Sequence, residues 1–330
     1  MIRPFSLAFA CALFAAGAVH AAPPAALAAY QPVQATEGEL RIWASPADGG
    51  LLASLAAGFR HFQPNVTLAL TLNGPDSTLG GVYSGVADIA LMAREMRQPV
   101  ERMAFEWVFH HSATSIEVAN AGLRADRLSA NLAVMVHRDN ALAQLTLAQL
   151  DAILGAEHRR GERNLRTWGE LGLDGAWKDR PIHVHGPQVD SIPAMLVRDK
   201  VLKGSYKWNP DYQVHDDDRQ IAAALAKDPA GIAYLPLRYA NAQLKPVALA
   251  VDAAGPFVAL TEASATARSY PLARVVTMVL NREPGQSLDP RAREFLRYVL
   301  SAEGQQVVAL EGSYLPLSPA QAAAQLDSLK

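Results

Sequence analysis

The chain has 330 residues, half of them hydrophobic, with 30 basic and 32 acidic residues and a formal net charge of −2. That is enough apolar material for one large core or two cores of ordinary domain size. The balanced charge, with no charged tail and no basic excess, leaves out nucleic acid as a partner.

At the N-terminus, Met1-Ile-Arg3 carries one positive charge and Ser6 to Val19 is an apolar run. The run is shorter than the roughly 20 residues that a membrane helix needs. Val19-His-Ala21 puts small residues where a signal peptidase reads, so residues 1–21 are expected to be a cleaved signal peptide, with a soluble periplasmic protein starting at Ala22. Cys11, the only cysteine, lies inside the apolar run and leaves with it, so the mature chain has no disulfide and must be held by its core. Residues 22–37 are rich in Ala and Pro without a sustained period and are expected to be a flexible leader.

Strand-like and helix-like segments then alternate. Residues 40–43 and 66–70 have strand character, with a helix at 50–62 between them; a short helix at 77–84 and a strand at 87–91 follow. This βαβαβ order predicts an α/β fold with a mainly parallel sheet flanked by helices. The same grammar returns with strands at 132–136, 182–185 and 231–235 and helices at 146–154 and 217–227. Residues 273–280 are β-prone, and 290–310 carry apolar residues at helical spacing.

In open α/β sheets a ligand sits beyond the carboxyl ends of the strands. The turns to inspect are therefore 44–49, 73–78, 92–95 and 186–191. The last leads into a helix that Asp190 or Ser191 can cap, with Pro193 in its first turn and free N–H groups suited to an anion. Anion loops are usually glycine-rich, however, and here Ile192 and Pro193 add bulk and remove one N–H.

Six segments in order resemble the periplasmic phosphate-binding proteins of ABC importers. They are Gly85-Val-Ala-Asp-Ile-Ala90, the stretch from Asp139 to Leu154, Asp228-Pro-Ala-Gly-Ile-Ala-Tyr234, Tyr270-Pro-Leu-Ala-Arg274, Glu294 to Gln305, and Tyr314-Leu-Pro-Leu317. The resemblance implies a type II periplasmic binding protein of two α/β lobes with the ligand cleft between them. Lobe one would comprise residues 38–130 plus 246–330 and lobe two 131–245.

It also implies phosphate or a related small oxyanion as ligand, an ABC permease in the membrane as partner, a monomer, and neither enzyme activity nor a cofactor. Carried over residue by residue, the ligand set is Ser45, Asp76, Ser77, Thr78, Arg94 and Ser191. The family's "R-x-x-G-S-G-T" falls on Pro187 to Pro193 and keeps only its serine, Ser191. A divergent binder with a changed ligand, or a sensor or scaffold role outside transport, stays open beside phosphate uptake.

Each candidate has a plainer role as well. Ser191 either meets an oxyanion or caps its own helix, and Asp76 either accepts from a protonated phosphate or caps the helix at 77–84. Asp48 stands in the same relation to the first helix. Arg94 either clamps an anion through two N–H groups or pairs with Glu95 or Asp88. His183 and His185, two apart on a strand, share a face, with His215 and residues 216–218 as further candidates. A half-buried strand face is preferred there to a metal site. No nucleophile elbow, phosphate-cradling Gly-rich loop or H-E-x-x-H motif occurs.

Overall fold

The computed structural model describes residues 26–123 and 130–330. The expected signal peptide lies outside them. Along β1 (Gly38–Ala44) the buried residues are Leu40, Ile42 and Ala44, the two-residue period of a strand with one face on a core. Helix α1 (Gly49–Phe62) buries Leu51, Leu52, Leu55 and Phe59, a stripe at helical spacing. Then come β2 (Val66–Leu72), α2 (Thr78–Tyr83), β3 (Ile89–Met92), α3 (Val100–Phe109) and β4 (Thr114–Ala121).

A second group starts with β5 (Leu132–His137), whose six residues are all buried, as in a strand covered on both faces. It goes on through β6 (Gln144–Thr146) to α4 (Leu147–Leu154), which is started by a reciprocal cap between Thr146 and Gln149. Next are β7 (His183–Pro187), α5 (Ile192–Lys200), β8 (Gln213–His215), α6 (Asp218–Leu225) and β9 (Gly231–Pro236). Two short strands follow, β10 (Leu244–Pro246) and β11 (Ala248–Ala250). The chain closes with α7 (Glu262–Thr266), β12 (Val275–Leu280), α8 (Pro290–Val299), α9 (Ala302–Glu311), β13 (Tyr314–Leu315) and α10 (Pro319–Ser328).

The strands build two principal sheets, ordered β13-β4-β12-β3-β1-β2 and β10-β5-β9-β7-β8. In the first, β12 is antiparallel to both β3 and β4, so β1 to β4 all run one way. In the second, β7, β8, β9 and β10 share a direction that β5 opposes. Each sheet has its own apolar core, one built around Phe59, Phe295 and Met278 and the other around Trp168, Tyr234 and Met135. These are the two α/β lobes that the sequence predicts.

The chain leaves the first sheet after β4 and re-enters it at β12, and the two crossings are tied together. The Ala121 N–H donates to the Arg274 carbonyl at 3.0 Å, and the Arg274 N–H donates to Asn131 Oδ1 at 2.9 Å. The expected return to lobe one at residue 246 differs from the packing. Strand β11 pairs with β6, and Leu260, Tyr270 and Leu272 lie in the second core.

The leader expectation needs a correction for residues 28–36. Tyr30 is buried among Phe59, Phe62 and Tyr298, and its hydroxyl donates to Glu294 at 2.8 Å. Its N–H donates to Glu303 at 2.7 Å, and the Thr36 N–H donates to Gln63 at 3.0 Å. An Ala- and Pro-rich composition is compatible with an extended strap when one aromatic side chain anchors it. The helical stretch expected at 290–310 is two helices, split where Ser301 accepts from the Gly304 N–H and caps the second.

Candidate functional site

The turn after β1 is a single 3₁₀ turn, Pro46–Asp48, in which Ser45 Oγ accepts from the Ala47 N–H at 3.4 Å. Asp48, expected as a cap for α1, makes no capping bond; it is buried and accepts a short hydrogen bond from the Tyr314 hydroxyl. After β2, the turn Gly74-Pro75-Asp76 leads into α2. Ser77 and Thr78 both turn their hydroxyls back to the Gly74 carbonyl, at 2.8 and 3.4 Å.

Ser45, Thr78 and Arg94 come together with Ala47, Asp48, Pro75 and Ala93 around one small pocket of lobe one. Asp76 and Ser191 line a neighbouring open space of about 410 Å³ with Arg97, Asp190, Ile192 and Pro193, and Pro75 belongs to both walls. This second space brings a turn of lobe one to the start of α5 in lobe two. Next to Arg97 in sequence, the Gln98 carbonyl accepts from Arg198 at 3.3 Å and from the Tyr206 hydroxyl at 3.4 Å, so the lobes touch through hydrogen bonds. Five of the six expected residues thus line one or the other of two neighbouring spaces that share Pro75. Ser77 is exposed and lines neither space, its hydroxyl bonded to the Gly74 carbonyl.

Arg94 is the largest departure from expectation. Its partner is neither Glu95 nor Asp88 but Glu101, in the first turn of α3, at 2.7 and 2.5 Å. The remaining N–H groups go to the Pro75 carbonyl, at 3.2 and 2.7 Å, and to the Glu95 carbonyl at 2.9 Å. A guanidinium has five N–H donors, so this buried side chain has none left for a ligand. Glu95 pairs instead with Arg274, and Asp88 with Arg41. Asp76, weighed as a helix cap, accepts from Arg97 at 2.5 Å.

Ser191 caps α5, accepting from the Ala194 N–H at 3.4 Å while its carbonyl takes the Met195 N–H. Pro193 has no N–H to offer a ligand, as its position implied.

Sequence reasoning missed Arg97 and Glu101 because it missed α3. Apolar residues lie on several sides of that helix, with Val100, Met103 and Trp107 exposed and Phe105 buried, which blurs the stripe that marks an amphipathic helix. The usable signal was Glu101 two residues after Pro99, an acid placed for the first turn of a helix.

The strand histidines do share a face. His183 Nδ1 and His185 Nε2 both meet Asp228 Oδ2, at 2.8 and 3.1 Å, and His185 Nδ1 meets His215 Nε2 at 3.1 Å. Burial, then the neighbouring His185, hold His215 below the usual histidine range. Burial alone would raise the Asp228 carboxyl, but hydrogen bonds from His185 and His183 hold it below its ordinary value.

The model of the PBP superfamily domain matches residues 29–303. The phosphate-binding protein PstS of Pseudomonas aeruginosa is 32% identical over 305 residues, covering 92% of this chain and 90% of that protein. Among solved structures, PstS from Borrelia burgdorferi aligns with a TM-score of 0.60 at 16% identity, covering 85% of this chain and 99% of that one. An ABC-type phosphate transport receptor from Vibrio cholerae aligns with a TM-score of 0.56 at 17% identity, covering 84% and 99%. At such identities the structural likeness speaks for the fold, while the sequence match to PstS runs through both lobes. The chain belongs to the PBP superfamily and, within it, to the family of PstS.

Proposed function

We propose that this chain is an exported solute-binding protein that takes phosphate or a related small oxyanion between its lobes and presents it to an ABC permease in the membrane. The observation that carries the reading is the convergence of the chain's helix starts. The residues leading into α1, α2 and α5 line two neighbouring spaces that share Pro75, with Ser45, Thr78 and Ser191 among them, and helix N-termini offer N–H groups and positive potential to an anion. The 32% identity to a protein named for phosphate binding supports the same class. The two sheets with their cores would act as the two closing bodies, with the paired crossings at Ala121 and Arg274 as the hinge, so that residues 246–272 would move with the second lobe. Closure around the ligand would then be what a permease recognises.

Binding rather than catalysis fits the hydroxyls of the cleft, since Ser45, Thr78 and Ser191 each bond to backbone. No helix among the described residues is long and apolar enough to cross a membrane. The expected signal peptide would leave a mature periplasmic protein beginning at Ala22, which the family resemblance would make a monomer, and the intact mass of the exported protein tests that start.

The donor count sets the expected affinity. Arg94 has no N–H to give, and Pro187, Ile192 and Pro193 replace an arginine, a glycine and a threonine of the family loop. Each charge-assisted hydrogen bond is worth about 1.5–3 kcal/mol net. Losing even three of these four costs on the order of 5 kcal/mol, or some thousands-fold in affinity, which puts phosphate in the millimolar range. Titration calorimetry with phosphate near neutral pH decides it, and a wild-type protein silent to every oxyanion would sink the reading. A changed ligand, with a cationic or donor-rich group, is the second reading, favoured by the carboxylates of Asp48, Asp76 and Asp190 on the cleft wall. A thermal-shift screen of phosphate, sulfate, molybdate, phosphonates and small organic ions separates the two.

A further inference from the structure

We propose that Arg97, and not Arg94, is the guanidinium that meets the charge of the ligand, and that Asp76 holds Arg97 in reserve until the ligand arrives. This rests on the oxyanion reading above and names the residue that would set its affinity.

The two arginines lie three positions apart and differ in what they have left to offer. All five N–H groups of Arg94 are bonded, two of them to Glu101. Arg97 spends Nη2 on Asp76 at 2.5 Å, while its Nε is shielded from solvent and has no hydrogen-bond partner. An N–H withdrawn from water and unbonded is costly, and swinging the side chain off Asp76 would bring it within reach of a ligand oxygen. The Asp76–Arg97 pair is half open to solvent, with side chains 61% and 32% exposed, so the attraction holding it together is screened and it can exchange partners.

Position points the same way. Arg97 lines the open space shared with Asp190, Ser191, Ile192 and Pro193 of lobe two, whereas Arg94 sits behind Pro75 in lobe one. The Arg97 backbone is fixed as well, because its N–H donates to Glu101 at 2.7 Å, and Gln98 next to it receives the two cross-lobe bonds from Arg198 and Tyr206. A guanidinium carried on that junction reports directly on closure. An oxyanion placed between Arg97 and the start of α5 would therefore touch both lobes at once. The planar fork of an arginine suits two oxygens of a tetrahedral anion.

The test uses two variants of the full mature protein with opposite expected signs, titrated with phosphate and sulfate by calorimetry and checked by thermal melting without ligand. R97Q removes the guanidinium and is expected to weaken anion binding tenfold or more, with its melting temperature close to wild type because the pair is exposed. D76N releases Arg97 from its carboxylate and is expected to tighten sulfate, which brings no proton to share with Asp76, by severalfold. If the Asp76–Arg97 pair only shaped the turn, both variants would act in the same direction, and that result overturns the proposal. Wild-type binding that R97Q leaves within twofold overturns it too while the oxyanion reading survives. A wild-type protein that binds no anion removes both.

Discussion

Arg274 and Glu95 join the two crossings between the lobes to the turn that follows β3. The Arg274 side chain is wholly buried, and its Nε and Nη2 donate to the Glu95 carboxylate at 3.1 and 3.0 Å while Nη1 donates to the Ala130 carbonyl at 2.9 Å. Burial by itself would raise the Glu95 carboxyl, but the charge and hydrogen bonds of Arg274 hold it below the usual glutamate value.

Removing the guanidinium should loosen the hinge and the fold together. R274A is expected to cost about 3 kcal/mol, toward the low end of the range for breaking a buried pair, because Glu95 keeps some access to water. Urea unfolding measures the loss. A cost below about 1 kcal/mol would mean that the crossings are held mainly by their backbone bonds.

The Arg94–Glu101 pair offers a different experiment. With Glu101 replaced by alanine, the buried guanidinium loses its counter-charge, and destabilisation of about 3–5 kcal/mol is expected. Phosphate or sulfate can then occupy the place of the lost carboxylate. Added anion should raise the melting temperature of E101A by more than that of wild type, as mass action requires for any ligand that binds only the folded state. Equal shifts in the two proteins would show that the place is closed to anions.

Acidification should weaken the second lobe in two stages. His215 has a folded value below its ordinary 6.5, so the unfolded chain takes up its proton first. Stability is therefore complete above about pH 6.5 and falls as the pH drops through that value toward the lower folded one. Asp228 is also held below its ordinary 3.8, so its contribution is lost in a second window beneath that value. Chemical denaturation from pH 8 to pH 3 reads both stages, and H215Q should flatten the upper one only. An upper stage unchanged in H215Q would assign it to another group.

Tyr30 should be a structural residue despite its place in an Ala- and Pro-rich segment. Replacing it with alanine empties a site walled by Phe59, Phe62 and Tyr298 and takes from Glu294 the hydroxyl that donates to it. A loss of about 3–5 kcal/mol is expected. Y30F keeps the ring and should lose only about 1–3 kcal/mol, the cost of taking from the buried Glu294 oxygen the shorter of its two hydrogen bonds and leaving it the Val33 N–H at 3.3 Å. Equal losses for the two variants would show that the hydroxyl and not the ring holds the segment.

The sequence was most informative where a single period dominates a segment. The stripe of α1, the alternation of β1 and the buried run of β5 each follow from one repeating demand, to bury an apolar face, and that demand is local. The order of those elements, with the six family-like segments, determined two α/β lobes, and it put Ser45, Thr78 and Ser191 at turns that line two neighbouring spaces. It failed at α3, where apolar residues face several ways, and at β4, where Ser115, Glu117 and Asn120 interrupt the apolar pattern. Asn120 is nonetheless satisfied in the core by the Pro316 carbonyl and Gln321, nearly 200 residues on.

Only the tertiary structure decided which charges neutralise which. Arg94 has Glu95 beside it in sequence, yet Glu95 turns to Arg274 and Arg94 to Glu101, because each guanidinium takes the carboxylate that burial leaves within reach of its fork. Tyr30 meets Glu294, and His185 meets His215 and Asp228, for the same reason. Such partners are set by the packing of whole elements, and no spacing along the chain encodes them. Several of the turns at these spaces were thus legible from the sequence, while Arg97 and the donors left free there were settled by contacts made across the fold.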